Sequence, residues 1–290
     1  MSYDNRNHNH NQRRGRGRDD DRRGGNRGNR DQRRGNDRRG GGDWRDEKKV
    51  RHDRSNPYRQ GFREDRMAMK DNEPSIPDDI DVADLDPSVL QDLRVLSKDN
   101  ADRVAKHMIM AATWMADDPK LALSHARAAK NRAGRVGVVR EAAGIAAYHA
   151  GEWKEALSEL RAARRMSGGP GLLAVMADAE RGLGRPEKAL EIGRSPEARE
   201  LDDDSKIELA IVMAGARHDM GQHESALATL QQLNPSMKID SFEHLRLAYA
   251  YADALAQVDR TGEAKQWFEK VAKTDSDNLT DAAERLKELN

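Results

Sequence analysis

The chain has 290 residues, and its 51 Lys and Arg balance its 51 Asp and Glu, so the formal net charge is zero. Because it contains no cysteine, disulfides, cysteine-based zinc sites, iron–sulfur clusters and thiol nucleophiles are excluded. No apolar run approaches the roughly 18–20 residues that span a bilayer, and the N-terminus lacks the apolar stretch of a secretory signal. We therefore expect a cytoplasmic protein with no membrane contact, no cofactor and no metal.

The charges are unevenly distributed along the chain. Residues 1–70 contain 22 Lys and Arg against 12 Asp and Glu, a balance of +10, whereas residues 71–290 contain 29 against 39, a balance of −10. Apolar residues in the first segment are too sparse to offset the entropy of ordering a backbone, roughly 1–2 kcal/mol per residue. We predict that residues 1–70 form a disordered arm rich in Arg, Gly, Asp and Asn.

Arginine dominates the positive charge of this arm, with 19 of its 22 basic residues. Guanidinium groups pair with phosphates and stack on bases. With its scattered aromatic residues the arm resembles the RGG-type tails of RNA-binding proteins, which implies RNA contact through residues 1–70. The interspersed Asp residues favour the alternative of a solubilising tail. The candidate RNA contacts are Arg13, Arg14, Arg16, Arg18, Arg22, Arg23, Arg33, Arg34, Arg38 and Arg39.

The next segment, residues 71–86, reverses the charge. It holds seven acidic residues and no basic one, and Pro74 and Pro77 favour an extended backbone. We interpret it as an acidic linker between the arm and a body of residues 87–290. In an alternative interpretation, the acidic segment pairs with the arm and competes with RNA.

The body has helical signals throughout. Asp86 and Pro87 place a capping side chain before a proline at the first helical position. Apolar residues then recur at intervals of three and four between Ala101 and Ala112, the period of an amphipathic helix. No comparable stretch alternates with period two, so the sequence predicts an all-α body.

The body also contains an internal repeat. The segments DDPKLALSHARAA (117–129) and GEWKEALSELRAA (151–163) align at a spacing of 34 residues. Predicted turns recur at positions 117, 151, 184, 221 and 262, with steps of 34, 33, 37 and 41. Each unit is typical of a helix, a tight turn and a second helix, which predicts about five helical hairpins.

A 34-residue helical hairpin with these residue types resembles the tetratricopeptide repeat (TPR) family. The match is carried by the second unit, through Gly144, Ala147, Gly151, Trp153, Ala156, Leu160 and Ala163. Across the body, segments such as AAYHAGEW and GRPEKALE look like an actinobacterial family of TPR-containing proteins with basic, disordered N-termini. The resemblance implies a TPR-like α-solenoid in a cytoplasmic protein without an assigned catalytic activity.

In such a solenoid the first helix of each unit lines a concave wall. The residues expected on this wall are His107, Trp114, Glu141, Tyr148, Asp178, Arg181 and His218. Trp114 and Tyr148 are 34 residues apart, so they occupy equivalent positions and are candidate anchors for a peptide or a partner helix. The alternative is that both aromatic side chains pack between hairpins.

The sequence shows no phosphate-binding, dinucleotide-binding, zinc-protease or nucleophile-elbow motif. We therefore expect no enzyme but a monomeric or weakly associating protein-interaction scaffold, with protein partners in the concave groove and the arm as an RNA tether. The alternative is an RNA-binding protein in which the arm is the main activity and the solenoid an accessory. The last predicted helix is expected to cap the array, with self-association as its alternative role.

Overall fold

A computed structural model describes residues 72–289, together with Gly61, Glu64, Met67 and Ala68. Within residues 72–289 the chain forms twelve α-helices, two short 3₁₀ helices and no strand, which confirms the all-α prediction. The helices are α1 (Pro87–Leu93), α2 (Lys98–Thr113), α3 (Pro119–Ala133), α4 (Gly137–His149), α5 (Trp153–Ser167), α6 (Leu173–Gly182), α7 (Pro186–Gly193), α8 (Asp203–Asp219), α9 (His223–Gln231), α10 (Phe242–Gln257), α11 (Thr261–Thr274) and α12 (Ala282–Glu288). The 3₁₀ helices are Val82–Asp84 and Pro196–Glu200.

Side-chain caps fix where several helices begin. The predicted cap Asp86 accepts a hydrogen bond from the Ser88 backbone N–H at 2.7 Å, directly before α1. Asp118 accepts one from the N–H of Leu121 at 3.0 Å before α3. Each bond satisfies an N–H group that the first turn of a helix leaves without an intrahelical partner.

The turns that join later helices share one geometry. Gly151, Gly184 and Gly221 adopt left-handed φ angles of 74°, 69° and 72°. In the first of these turns, the N–H of Glu152 donates to the carbonyl of Ala147, and equivalent bonds recur after Gly184 and Gly221. This Schellman pattern favours glycine, because glycine has no Cβ to clash in the left-handed region.

The repeat spacing predicted the fifth turn at position 262, but the turn does not lie there. The same pattern forms around Asp259, which has a φ of 60°, while Gly262 lies inside α11. A search for glycine misses this turn, because aspartate also tolerates the left-handed conformation.

The helices pack in chain order as five pairs: α2 with α3, α4 with α5, α6 with α7, α8 with α9, and α10 with α11. The first helices of successive pairs also contact one another, from α2 through α10, and α12 packs on α11. Small residues allow this close approach. Ala143, Ala146 and Ala147 of α4 are fully buried, and a Cβ on Gly144 would lie 2.6 Å from Cγ of Leu160 in α5.

The predicted linker, residues 71–86, lies partly against the body. Val82 and Leu85 pack on the apolar cluster that contains Leu93 and Val104. The side chain of Glu73 is 4% exposed and forms an ion pair with Arg132 of α3 at 2.5 Å. The described part of this segment thus belongs to the packing of the first helical pair.

Candidate functional site

A polar network joins three successive first helices. The Tyr148 hydroxyl of α4 donates to Oδ2 of Asp178 in α6 at 2.5 Å, and Nη1 of Arg181 donates to Oδ1 of Asp178 at 2.7 Å. The same guanidinium reaches α8, where Nε donates to Oδ2 of Asp219 at 2.8 Å. Asp178 and the guanidinium are partly buried, so their geometry is more restrained than that of a fully exposed ion pair.

A glycine makes room for this network. A Cβ on Gly215 of α8 would lie 2.7 Å from Cζ of Arg181, so the guanidinium lies directly over the α8 backbone. Burial and the Asp178 hydrogen bond raise the pKa of the Tyr148 hydroxyl, which keeps it protonated as the donor. The network therefore ties α4, α6 and α8 together along one side of the molecule.

Next to this network lies a cavity of about 630 Å³ between α8, α9, α10 and the segment before α12. Its lining combines apolar side chains, such as Ile211 and Ala250, with polar groups, such as His218, Tyr249 and Asp281. Such a mixture of apolar surface and a few convergent polar groups is typical of ligand and peptide sites.

Two histidines meet in this cavity, at the junction of α8 and α9. Nδ1 of His218 lies 2.9 Å from Nδ1 of His223, with the rings edge to face. One nitrogen has to donate and the other to accept, so the contact requires at least one neutral imidazole. Within the described residues, no group of three or more His, Asp or Glu is arranged to hold a metal ion.

The cavity also has fixed charges on α10. Arg246 forms an ion pair with Glu208 of α8 and lies over the ring of Phe242, with 5.8 Å between Cζ and the ring centroid. The Tyr249 hydroxyl donates to Oδ1 of Asp281 at 2.5 Å.

The structure brings four of the seven predicted groove residues into this region. Tyr148, Asp178 and Arg181 form the network, and both Arg181 and His218 line the cavity. Tyr148 also packs its ring against Trp153, with centroids 5.3 Å apart, and contacts the neighbouring apolar clusters. Its ring therefore packs between hairpins while its hydroxyl joins the polar network.

The three remaining groove residues lie nearer the N-terminal pairs. Trp114 is half-buried just after α2, and its indole Nε1 is buried without a hydrogen-bond partner. Glu141 is half-buried in α4, where burial raises the pKa of its carboxyl. His107 lies in an environment that differs from the one predicted.

The structure corrects the prediction that His107 lines an open wall, because its side chain is fully buried. Its Nδ1 lies 3.0 Å from Nδ1 of His125, and its Nε2 lies 3.6 Å from Oε2 of Glu73. Burial lowers the pKa of His107 to about 4 and also lowers that of His125. The repeat register did not reveal that Glu73, from the predicted linker, closes this position.

Sequence reasoning missed Arg246, Tyr249 and Asp281. The misplaced fifth turn explains Tyr249, since it shifts the register of α10 by three residues. Tyr249 lies ten residues before the turn residue Asp259, just as Glu141 lies ten residues before the turn residue Gly151. Asp253 and Ile145 correspond in the same way, each six residues before its turn residue. Asp tolerates a left-handed backbone, so an Asp between two helical segments is the sequence signal that would have located Tyr249 and Asp253.

The ten arginines predicted to contact RNA lie outside the described residues, and so does the rest of residues 1–60. A scan against protein-family models gives no match, and a search of curated proteins gives none either. None of the helices formed by residues 72–289 is both long enough and apolar enough to cross a membrane.

Proposed function

We propose that the chain is a non-catalytic protein-interaction scaffold of TPR type, with the first helices of its pairs forming a groove for a segment of a protein partner. The observation that supports it most is the cavity of about 630 Å³ lined by α8, α9 and α10. A peptide side chain fills a recess of this kind, and the flanking polar groups fix its orientation.

A non-catalytic role is supported by how the polar groups are used. Asp178 and Asp219 are both bound to Arg181, and the hydroxyls of Tyr148 and Tyr249 both donate to carboxylates. Polar side chains held in this way orient a bound partner and stabilise the packing of successive helical pairs. The cytoplasm is the proposed compartment.

Blocking the cavity tests the proposal. Ala254 is half-buried in the cavity lining, so an Ala254→Trp substitution fills the space with an indole. Partners captured by the full chain should be lost with Ala254→Trp and kept with Lys120→Trp, a substitution at an exposed position of α3. Partners that bind both variants equally would contradict the groove as the recognition element.

The second candidate is RNA binding through the arm, for which the observation is the 19 Arg of residues 1–70. Treating the captured complexes with RNase separates the two functions: a scaffold keeps its protein partner, whereas an RNA binder loses its cargo. An RNA complex should also weaken steeply as salt rises, because each neutralised phosphate releases counterions.

A further inference from the structure

The cavity between α8, α9 and α10 has apolar side chains at its mouth. Phe242 is 50% exposed and Leu279 is 58% exposed, and both line it together with Ile211 and Ala214. Large apolar side chains left in water beside a recess mark an interaction site. The segment bound here therefore has to supply an apolar side chain.

The arginines of this region are already neutralised. Arg181 binds Asp178 and Asp219. The remaining pairs are Arg246 with Glu208 and Arg285 with Asp253. An anionic ligand would therefore meet arginines whose charge is already balanced, and the carboxylates that balance it would repel the ligand.

Carboxylates outnumber the arginines around the cavity. The three arginines pair with Asp178, Glu208, Asp219 and Asp253, and Asp281 lines the cavity as a fifth carboxylate. Asp281 accepts a hydrogen bond from a neutral donor, the Tyr249 hydroxyl, and among the described residues it forms no ion pair with Lys, Arg or His. The pKa of Tyr249 is raised by burial and then by Asp281 and Asp253, in keeping with this excess of negative charge.

We propose that this groove binds a basic peptide segment of a protein partner, in which Lys or Arg flanks an apolar side chain. This inference rests on the proposed scaffold function and specifies its partner. The apolar side chain enters beside Phe242 and Leu279, and the cation lies against Asp281. Complementary charge favours this partner over an acidic one and guides the encounter.

Two synthetic peptides test the chemistry. One repeats Leu-Arg-Ala, and its counterpart has Glu in place of every Arg, with fluorescein on both. Fluorescence anisotropy with the full chain should give about tenfold or more tighter binding of the basic peptide at low salt. Equal affinity for the two peptides, or no binding of the basic one, would overturn the proposed partner chemistry.

Three variants of the full chain locate the binding. Asp281→Asn removes the charge but keeps an acceptor for Tyr249, and Leu279→Ser removes an exposed apolar side chain without disturbing the core. Each should weaken binding of the basic peptide several-fold. Asp117→Asn is the matched control, because Asp117 is exposed on the turn between α2 and α3 and the charge change is the same. Equal effects of Asp281→Asn and Asp117→Asn would show that the peptide binds by non-specific electrostatic attraction, and would overturn the proposal.

The Ala254→Trp variant separates this inference from the scaffold function. If the basic peptide fails to bind while a partner protein is lost only in Ala254→Trp, the scaffold function stands and the basic partner is wrong. If the basic peptide binds Ala254→Trp as well as the wild type, the groove is not its site and the inference fails. Analytical ultracentrifugation tests whether the full chain self-associates. If it does, and Asp281→Asn abolishes the association, the occupant of the groove is a second copy of the chain and not a separate partner protein.

Discussion

Two glycines in the first helices illustrate how a missing side chain serves either packing or a polar contact. At Gly144 an added Cβ would meet Leu160, which is only 2% exposed. At Gly215 it would meet the end of Arg181, a flexible side chain that can move into solvent. The same substitution therefore has different consequences at the two positions.

We predict that Gly144→Ala lowers the free energy of unfolding by about 1–3 kcal/mol, because overpacking a buried helix contact shifts side chains and backbone. Gly215→Ala should change it by less than about 1 kcal/mol, since the gain in helix propensity offsets the lost ion pair. Chemical denaturation of both variants checks the contrast. An equal loss at both positions would contradict it.

The buried pair His107 and His125 gives the protein a pH-dependent stability. The pKa of His107 is about 4 in the folded chain and about 6.5 in an unfolded one, so the unfolded chain binds more protons between these values. The contribution of His107 to the free energy of unfolding is thus complete above pH 6.5. It falls by on the order of 3 kcal/mol as pH is lowered towards 4. Unfolding free energies measured between pH 7.5 and 4 test this.

The control for the histidine pair is His107→Leu, which should be less stable at neutral pH but show a flatter slope between pH 6.5 and 4. The window separates this effect from that of Glu155. Burial raises the pKa of Glu155, but Arg127 and Lys130 lower it more, to about 2, so its stabilisation is lost only below pH 4.5. An unchanged slope in His107→Leu would exclude the histidine as its source.

At the level of the helices, the sequence predicted most of what the structure has. The apolar period of three to four residues and the glycines at 151, 184 and 221 were sufficient for the second, third and fourth pairs, because the Schellman turn depends on local backbone geometry. The fifth turn was missed because its residue with left-handed φ is Asp259, whereas glycine occupies that position at 151, 184 and 221.

Asp259 therefore offers a test of turn chemistry. Asp259→Gly should raise the free energy of unfolding by about 0.5 kcal/mol, since glycine adopts the positive φ of 60° without strain. Gly221→Ala, which adds a Cβ at the equivalent position of another turn, should lower it by about 1 kcal/mol. Thermal melts of both variants give the comparison, and the idea fails if Asp259→Gly is the less stable of the two.

At the level of the whole molecule, the candidate site was less predictable than the fold. Asp178 is hydrogen-bonded to Arg181, and Arg181 and His218 line the same cavity, since equivalent positions of stacked units share a side. The repeat register did not reveal that Glu73 covers His107, because that contact joins residues 34 apart that belong to no common repeat. Contacts of this kind depend on where an irregular segment folds back.

The apolar core is divided into separate clusters along the array, including one around α10 and α11 and another around α6 and α7. When each unit contacts only its neighbours, stability is close to a sum of local terms, and the last pair can unfold before the rest. Phe268→Ala removes a fully buried side chain from the last pair, at a cost of about 3–5 kcal/mol. Hydrogen exchange should then show amides of α10–α12 losing protection while those of α2–α5 keep theirs. Leu160→Ala, in the second pair, is the matched change and should instead expose α4 and α5. Uniform loss of protection in both variants would mean that the array unfolds as one cooperative unit.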